Sequence, residues 1–493
     1  MINEKNKLQV NMILNAIKGV MSVLFPLITF PYISRVLGVD NIGKYNFSYS
    51  IICYFILIAD LGIQTYAIRE GARFRNKKCE IDKFASQIFS INIISMLISY
   101  LLFFICLILF ENLSNYKLLL LILSLQIIFK TITVDWLYNI FEDYTFITIR
   151  SIIFQIIAMI LMFAFVKDEN DVEIYAFTTV VASAGAGILN LLFSKKHCHL
   201  GLTLSLDLKK HFKPIIILFA LTLTVTIYVS SDVTILGIVC GDTTVGIYSV
   251  SVKIYTVAKT LLTSILLVSV PHLAAALGEK NNNKFNSTAQ KIHSTLISLT
   301  FPMMTGICLL HDEIIEVVAG KEYIAASSSL ILLSIAIIFG MLSYFWSQCI
   351  LINFKKDFLV FRITLLSAII NILLNIILIP AWKENAAAIT TIISEGVSFS
   401  LCYFYGEKYV NMNEKYTILL KTIVGCLLMA ILTYFLKSIL VQSIVSTMII
   451  ILIDIFTYCV TQIVLKNEAI LDFIIPLMSR LKGRHDNNKK NNK

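Results

Sequence analysis

The chain has 493 residues, 57% of them hydrophobic and 15% charged, with a mean hydropathy of +0.81. A soluble domain carries roughly 25% charge and about 45–50% apolar residues, so the composition excludes a soluble enzyme or binding module and points to a polytopic membrane protein. The net charge of +10 is accounted for by basic loops and does not argue for nucleic acid.

A membrane-spanning helix needs ~20 apolar residues. That rule predicts an all-α chain with about fourteen transmembrane helices. Six fall at 10–33, 45–66, 86–110, 118–140, 148–166 and 174–194, and six more at 214–239, 245–272, 292–315, 326–352, 361–379 and 387–405. Two extra spans, 417–436 and 443–465, follow. No cleavable leader is expected, since the chain is polar up to Gln9 and the apolar run from Val10 is of span length. The division is therefore an N-terminal six-helix bundle (1–194), a basic linker (195–213), a C-terminal six-helix bundle (214–405), two additional helices (406–465) and a basic tail (466–493). Within the tail, 470–481 is apolar, with Pro476, and reads as a segment lying along the membrane interface. With the N-terminus inside, 29 of the 41 Lys and Arg residues fall in inner segments, seven in outer links and five within spans. That bias places both termini in the cytoplasm. The outer links are short, which leaves no room for an external catalytic domain.

One stretch occurs twice. Leu37-Gly38, a polar link, Ile42-Gly43-Lys44-Tyr45 and Ser48 match Leu236-Gly237, a link, Val245-Gly246-Ile247-Tyr248 and Ser251. The offset is 199 residues at the first Gly and 203 at the second, which makes the later link four residues longer. Repeated halves around a central site are a common transporter plan, and they predict two pseudo-symmetric bundles.

Charges inside spans are costly and face a partner or an aqueous cavity. Asn11, Asn15, Lys18, Ser22 and Thr29 share one stripe of the first helix, and Ser249, Lys253, Thr256, Thr260 and Ser264 one stripe of the eighth. Gln126, Lys130 and Thr133 repeat the pattern on the fourth, whereas Lys259 points off the stripe of the eighth. These residues are the candidates for a wet, cationic cavity between the halves; snorkelling, or pairing with an acid such as Asp135, is the plainer role for Lys130 and Lys259. Ser367, Asn371 and Asn375 line the eleventh helix, where interhelical hydrogen bonding is the alternative to cavity lining. Asp60, Asp232, Glu395 and Asp454 are the candidates for coupling H+ or Na+, against structural pairing. His197-Cys198-His199 has the residue types of a metal site but crowded spacing and no partners. The ten cysteines, without a Cys-x-x-Cys, read as small buried hydrophobes. No catalytic motif is present.

Several motifs carry a resemblance. Pro26-x-x-Thr29-x-Pro31-Tyr32-x-x-Arg35-x-Leu37-Gly38, Gly43-x-Tyr45 and Asp60-Leu61-Gly62 resemble the opening of polysaccharide (Wzx-type) flippases, within the multidrug/oligosaccharidyl-lipid/polysaccharide exporter superfamily. So do Asp135-Trp136-Leu137-Tyr138, Glu142-Asp143-Tyr144, Ser231-Asp232-x-x-x-Leu236-Gly237 with Val245-Gly246-x-Tyr248, and Asn371-x-x-x-Asn375-x-x-Leu378-Ile379-Pro380. Asn385 stands where the family pattern has Gly. The resemblance implies a flippase of the bacterial cytoplasmic membrane, moving undecaprenyl-diphosphate-linked oligosaccharides from the inner to the outer leaflet by alternating access, for capsule, exopolysaccharide or O-antigen. Membrane lipids, a polysaccharide polymerase and glycosyltransferases are the partners it implies. The alternatives are a small-molecule antiporter of the same superfamily, which would need a central acid, and a glycan polymerase or ligase, which would need a large external loop.

Overall fold

The computed structural model describes residues 4–279, 281–412, 416–441 and 443–471, and every regular element among them is helical. The apolar stretch 470–481 and the tail lie almost wholly outside the described residues. In chain order the helices are α1 (Glu4–Asp60), α2 (Ile63–Gly71), α3 (Lys78–Leu109), α4 (Lys117–Ile132), α5 (Asp135–Ile140), α6 (Tyr144–Phe165), α7 (Val172–Phe193) and α8 (Leu208–Cys240). They continue with α9 (Asp242–Gly278), α10 (Asn282–Leu309), α11 (His311–Val318), α12 (Ser327–Tyr344), α13 (Asp357–Gly406), α14 (Tyr416–Ile439) and α15 (Ile444–Val464). Among the described residues, eleven helical stretches are long and apolar enough to cross a membrane. Two of these, of 51 and 53 residues, are about twice the length a bilayer requires. Each is broken inside, at Gly38 (φ 71°, ψ 176°) and at Lys383 (φ 48°, ψ −129°).

The chain forms two compact units. The first comprises Met1–Ser249, Val318–Glu322 and Asn375–Glu384; the second comprises Val250–Val317, Tyr323–Leu374 and Asn385–Lys493. In the first unit α1 packs against α3, α4, α6 and α8, and α7 against α4 and α6. Tyr66, Phe84, Ile88, Trp136, Tyr138 and Ile147 form a buried core there. In the second, α10 packs against α12 and α14. Tyr458 OH of α15 donates to the Ser298 carbonyl of α10 at 2.6 Å.

Within the first unit the duplicated turns differ from their expected register. The residue equivalent to Gly38 is Gly241 (φ 82°, ψ −178°), not Gly237. A single offset of 203 residues therefore relates Gly38, Gly43, Tyr45 and Ser48 to Gly241, Gly246, Tyr248 and Ser251, and the two links are equally long. Both turn glycines hold a backbone conformation that side chains disfavour. Gly237 instead sits inside α8, where an added Cβ would fall 2.1 Å from the Phe47 ring. The two turns also meet. A Cβ on Gly43 would lie 1.9 Å from the Asp242 carbonyl oxygen, and one on Gly246 2.1 Å from the Val39 carbonyl oxygen. Since Asp242 is the equivalent of Val39, the contact is reciprocal. Thr243 Oγ1 donates to Asp40 Oδ1 at 2.6 Å, and these two positions are themselves equivalents.

The span expected at 118–140 is two helices. Val134 (φ 40°) separates α4 from α5. The break is sustained because Asn190 Nδ2 donates to the freed Thr133 carbonyl, the satisfaction that irregular backbone at depth requires.

Candidate functional site

The first unit holds an open-mouthed cavity of about 700 Å³, most of whose lining residues are polar. Helical spacing builds its walls. Tyr49, Cys53, Ile56, Leu57 and Asp60 recur every three or four residues on α1, Ile127, Lys130 and Thr131 do so on α4, and Ser151 and Gln155 on α6. Thr222 and Thr226 add one face of α8, and Ser183 comes from α7. The left-handed backbone at Leu61 and Gly62 (φ 48° and 72°) ends α1 and lets Gln64 of α2 join the same wall. Asn92, which also lines the space, is fixed by donating to the Ala59 carbonyl at 2.7 Å.

Among the described residues four charged side chains line the cavity, and two neutralise each other. Arg150 Nη2 lies 3.1 Å from Asp135 Oδ1, which also accepts from Asn190 Nδ2 at 2.8 Å. Arg150 Nη1 donates to the Ala186 carbonyl at 3.3 Å. The other two, Lys130 and Asp60, form no ion pair with any described residue, and Lys130 is exposed toward the space it lines. Amides and hydroxyls make up most of the remaining polar lining. Such a surface can hydrogen-bond a hydroxylated group from several directions, beside one cation and one carboxylate.

The structure distributes the residues singled out from sequence as follows. Lys130 and Thr133 line the cavity, while Gln126 is buried and donates to Thr179 Oγ1 at 3.4 Å. The side chains of Asn11, Asn15, Lys18 and Ser22 lie outside the described residues. Ser249 is buried and its hydroxyl turns back to the Val245 carbonyl at 2.6 Å. Lys253 is half-buried on α9 and Thr256 is exposed. In the second unit Lys259 Nζ is 2.6 Å from Glu395 Oε1, with Tyr255 OH 3.1 Å from the ammonium and 3.3 Å from the carboxylate. Asn371 Nδ2 donates to Thr390 Oγ1 and Ser394 Oγ, each at 3.4 Å. In the first unit, Asp232 accepts from Tyr248 OH at 3.0 Å and from Asn375 Nδ2 at 2.6 Å. Asp454 accepts from Thr433 Oγ1 at 2.8 Å in the second.

Arg150 is the residue that sequence reasoning placed wrongly. Counted among the inner-side basic residues, although it falls within the span expected at 148–166, it sits on α6, 4% exposed. Asp143 caps that helix earlier, accepting from Phe146 N, and an acidic residue before an apolar run is the signal that marks such a start. Asp135 thus pairs with Arg150 rather than with Lys130. The His197-Cys198-His199 motif serves packing. His197 stacks on Phe141 with centroids 4.7 Å apart, and burial pushes the Cys198 thiol up to about 12.

Comparison with known proteins agrees with this architecture. A family described as "Polysaccharide biosynthesis protein" matches residues 8–277, and one described as "MatE" matches residues 214–377. The chain is similar to the "Putative O-antigen transporter" of Escherichia coli (strain K12), 26% identical over 411 residues, covering 82% of this chain and 98% of the relative. It is also similar to the "Capsular polysaccharide biosynthesis protein CapF" of Staphylococcus aureus, 23% identical over 406 residues and covering 79% and 97%. Among solved structures, the inward closed conformation of the lipid II flippase MurJ superposes with a TM-score of 0.75 at 18% identity, covering 94% of this chain and 99% of that one. At that identity the likeness shows the fold.

Proposed function

Because the chain belongs to the polysaccharide biosynthesis protein family, a family of membrane transporters rather than enzymes, we propose that it flips undecaprenyl-diphosphate-linked oligosaccharide repeat units. The direction in this reading is from the inner to the outer leaflet of the bacterial cytoplasmic membrane, by alternating access, and the product feeds a surface polysaccharide. The lipid tail can remain in the bilayer. Sugar and diphosphate cannot cross apolar core without partners, since buried polar groups left unbonded are penalised.

The observation that carries the proposal is the polar cavity in the first unit, with Lys130 facing it outside any ion pair among the described residues. Lysine meets phosphate as a point charge, and the amide and hydroxyl lining suits sugar hydroxyls. Lys18 and Lys253 stay in the reading on the strength of their helical stripes. We place fourteen spans in the chain by counting each doubly long helix as two and including α9. The single offset of 203 residues supports two related six-helix halves divided at 195–213, and the bias of basic residues toward inner segments supports two cytoplasmic termini. Of the coupling candidates, Asp60 is the acid that lines the cavity. Asp232, Glu395 and Asp454 are hydrogen-bonded by neighbouring side chains.

Lys130→Ala, alone and with Lys18→Ala and Lys253→Ala, tests the reading. Lys130 forms no ion pair with any described residue, so the single variant is expected to reach the membrane at parental level and to lose most surface glycan. Normal glycan export by the triple variant overturns the cationic assignment. The MatE match and the presence of Asp60 in the cavity favour a second reading, exchange of a cationic small molecule. Under that reading the variants change drug susceptibility and leave glycan export intact.

A further inference from the structure

The linker between α7 and α8 is stitched along α3. His199 N–H donates to Asp82 Oδ1 at 2.9 Å, Gly201 N–H to Ser86 Oγ at 3.2 Å and Thr203 N–H to Ser90 Oγ at 2.8 Å. Ser86 Oγ in turn donates to the His199 carbonyl at 3.2 Å, and Gln87 Nε2 to the Ser205 carbonyl at 2.7 Å. Asp82, Ser86 and Ser90 are four residues apart, so they form one stripe of α3. The bonded linker residues are alternate ones, which gives the strap an extended form. It enters beside Asp82, reaches Ser90 at Thr203 and turns back beside Gln87. Ser90 lies ~12 Å along α3 from Asp82, at 1.5 Å per residue.

The intervening residues are the leucines. Leu200 and Leu206 pack into the core of the first unit, but Leu202 and Leu204, on either side of the tip, are 74% and 99% exposed. Thr203, between them, is bonded to Ser90, and the exposed apolar residues of α3 begin four positions further along, at Ile94 and Leu97. Exposed Leu192 and Phe193 close α7, and exposed Leu208 and Phe212 open α8. Lys195 and Lys196 flank the strap on one side, and Lys209, Lys210 and Lys213 on the other, all exposed. Asp207 is the one acid in 195–213.

We propose that residues 202–204 form an interfacial anchor for anionic phospholipid, the two leucines entering the acyl boundary while the flanking lysines meet the phosphate-bearing headgroups. Two arguments select lipid over a protein partner. The linker is bordered in sequence by exposed apolar helix ends, Leu192 and Phe193 before it and Leu208 and Phe212 after it. Its cationic flanks lie on both sides, as a headgroup layer of negative charge would favour. The strap fixes the tip against α3 through backbone hydrogen bonds, so anchoring does not depend on the leucines themselves for local folding.

The test uses the full chain in nanodiscs and is independent of transport, so its failure leaves the flippase reading untouched. A Leu204→Trp variant, with the parent spectrum subtracted, is expected to give blue-shifted emission quenched by lipids brominated near the top of the acyl chain. Quenching is expected to be stronger in phosphatidylglycerol than in phosphatidylcholine. Replacing Lys195, Lys196, Lys209 and Lys213 by Gln is expected to abolish that preference. Emission typical of water, quenched by iodide and not by brominated lipid, overturns the anchor. Equal quenching in the two lipids, or a preference that survives the Gln replacements, overturns the headgroup assignment.

Discussion

Glu395 is 6% exposed, and its carboxylate has the Lys259 ammonium at 2.6 Å and the Tyr255 hydroxyl at 3.3 Å. Gly340 leaves room for the pair, since a Cβ there would lie 3.1 Å from both Lys259 Nζ and Glu395 Oε1. Removing one member of such a pair strands the other charge, which costs about 3 kcal/mol, while removing both together is far milder. Lys259→Met and Glu395→Met should each lower the thermal midpoint in detergent, and the double variant should recover most of the loss. Additive losses would show that the two side chains act separately. A second residue-scale expectation concerns His197. Burial holds its pKa below the usual 6.5 despite Asp143, whose Oδ2 lies 3.3 Å from Nε2. The unfolded chain therefore binds more protons at mildly acidic pH, and stability falls as pH drops through about 6.5. Thermal unfolding at pH 7.5 and 5.5 should show a smaller acid loss in His197→Gln than in the parent. Sequence indicated that Lys259 points off its stripe, yet its partner lies 136 residues away, and no local pattern encodes that distance.

Between elements, the close approach of the duplicated turns is the most demanding packing. Gly43→Ala and Gly246→Ala each force a methyl into a backbone carbonyl, an overpacking expected to cost about 1–3 kcal/mol. Because the two sites share one contact, the double variant should fall short of the sum, measured by thermal unfolding. Fully additive losses would mean that the turns do not brace each other. The repeat itself was legible, since Gly-x-Tyr and the following Ser recur in order. Its register was not, because Leu236-Gly237 imitates Leu37-Gly38 four residues too early. Only the positive φ of Gly241 identifies which glycine makes the turn. The break at Val134 left no trace in composition either: the residue is β-branched and apolar, and what sustains the turn is the remote Asn190.

For the molecule as a whole, hydropathy is the legible property. Apolar runs of span length require no knowledge of partners, and they delimited nearly all the long helices. Which polar residues line a cavity depends instead on helix rotation and on where neighbours end; Lys130 was found by its stripe, whereas Arg150 and Gln155 were not. The meeting of the two turns bears on the ancestry of the chain. A surface whose positions 39 and 43 receive the equivalents of 43 and 39 can close on a second copy of itself, as symmetric dimers do. Position 40 would then face its own twin, and two aspartates there would repel. Joining the copies in one polypeptide lifts that restriction, for one twin can mutate alone. Thr243 donating to Asp40 is a bond that no pair of identical half-length chains could make.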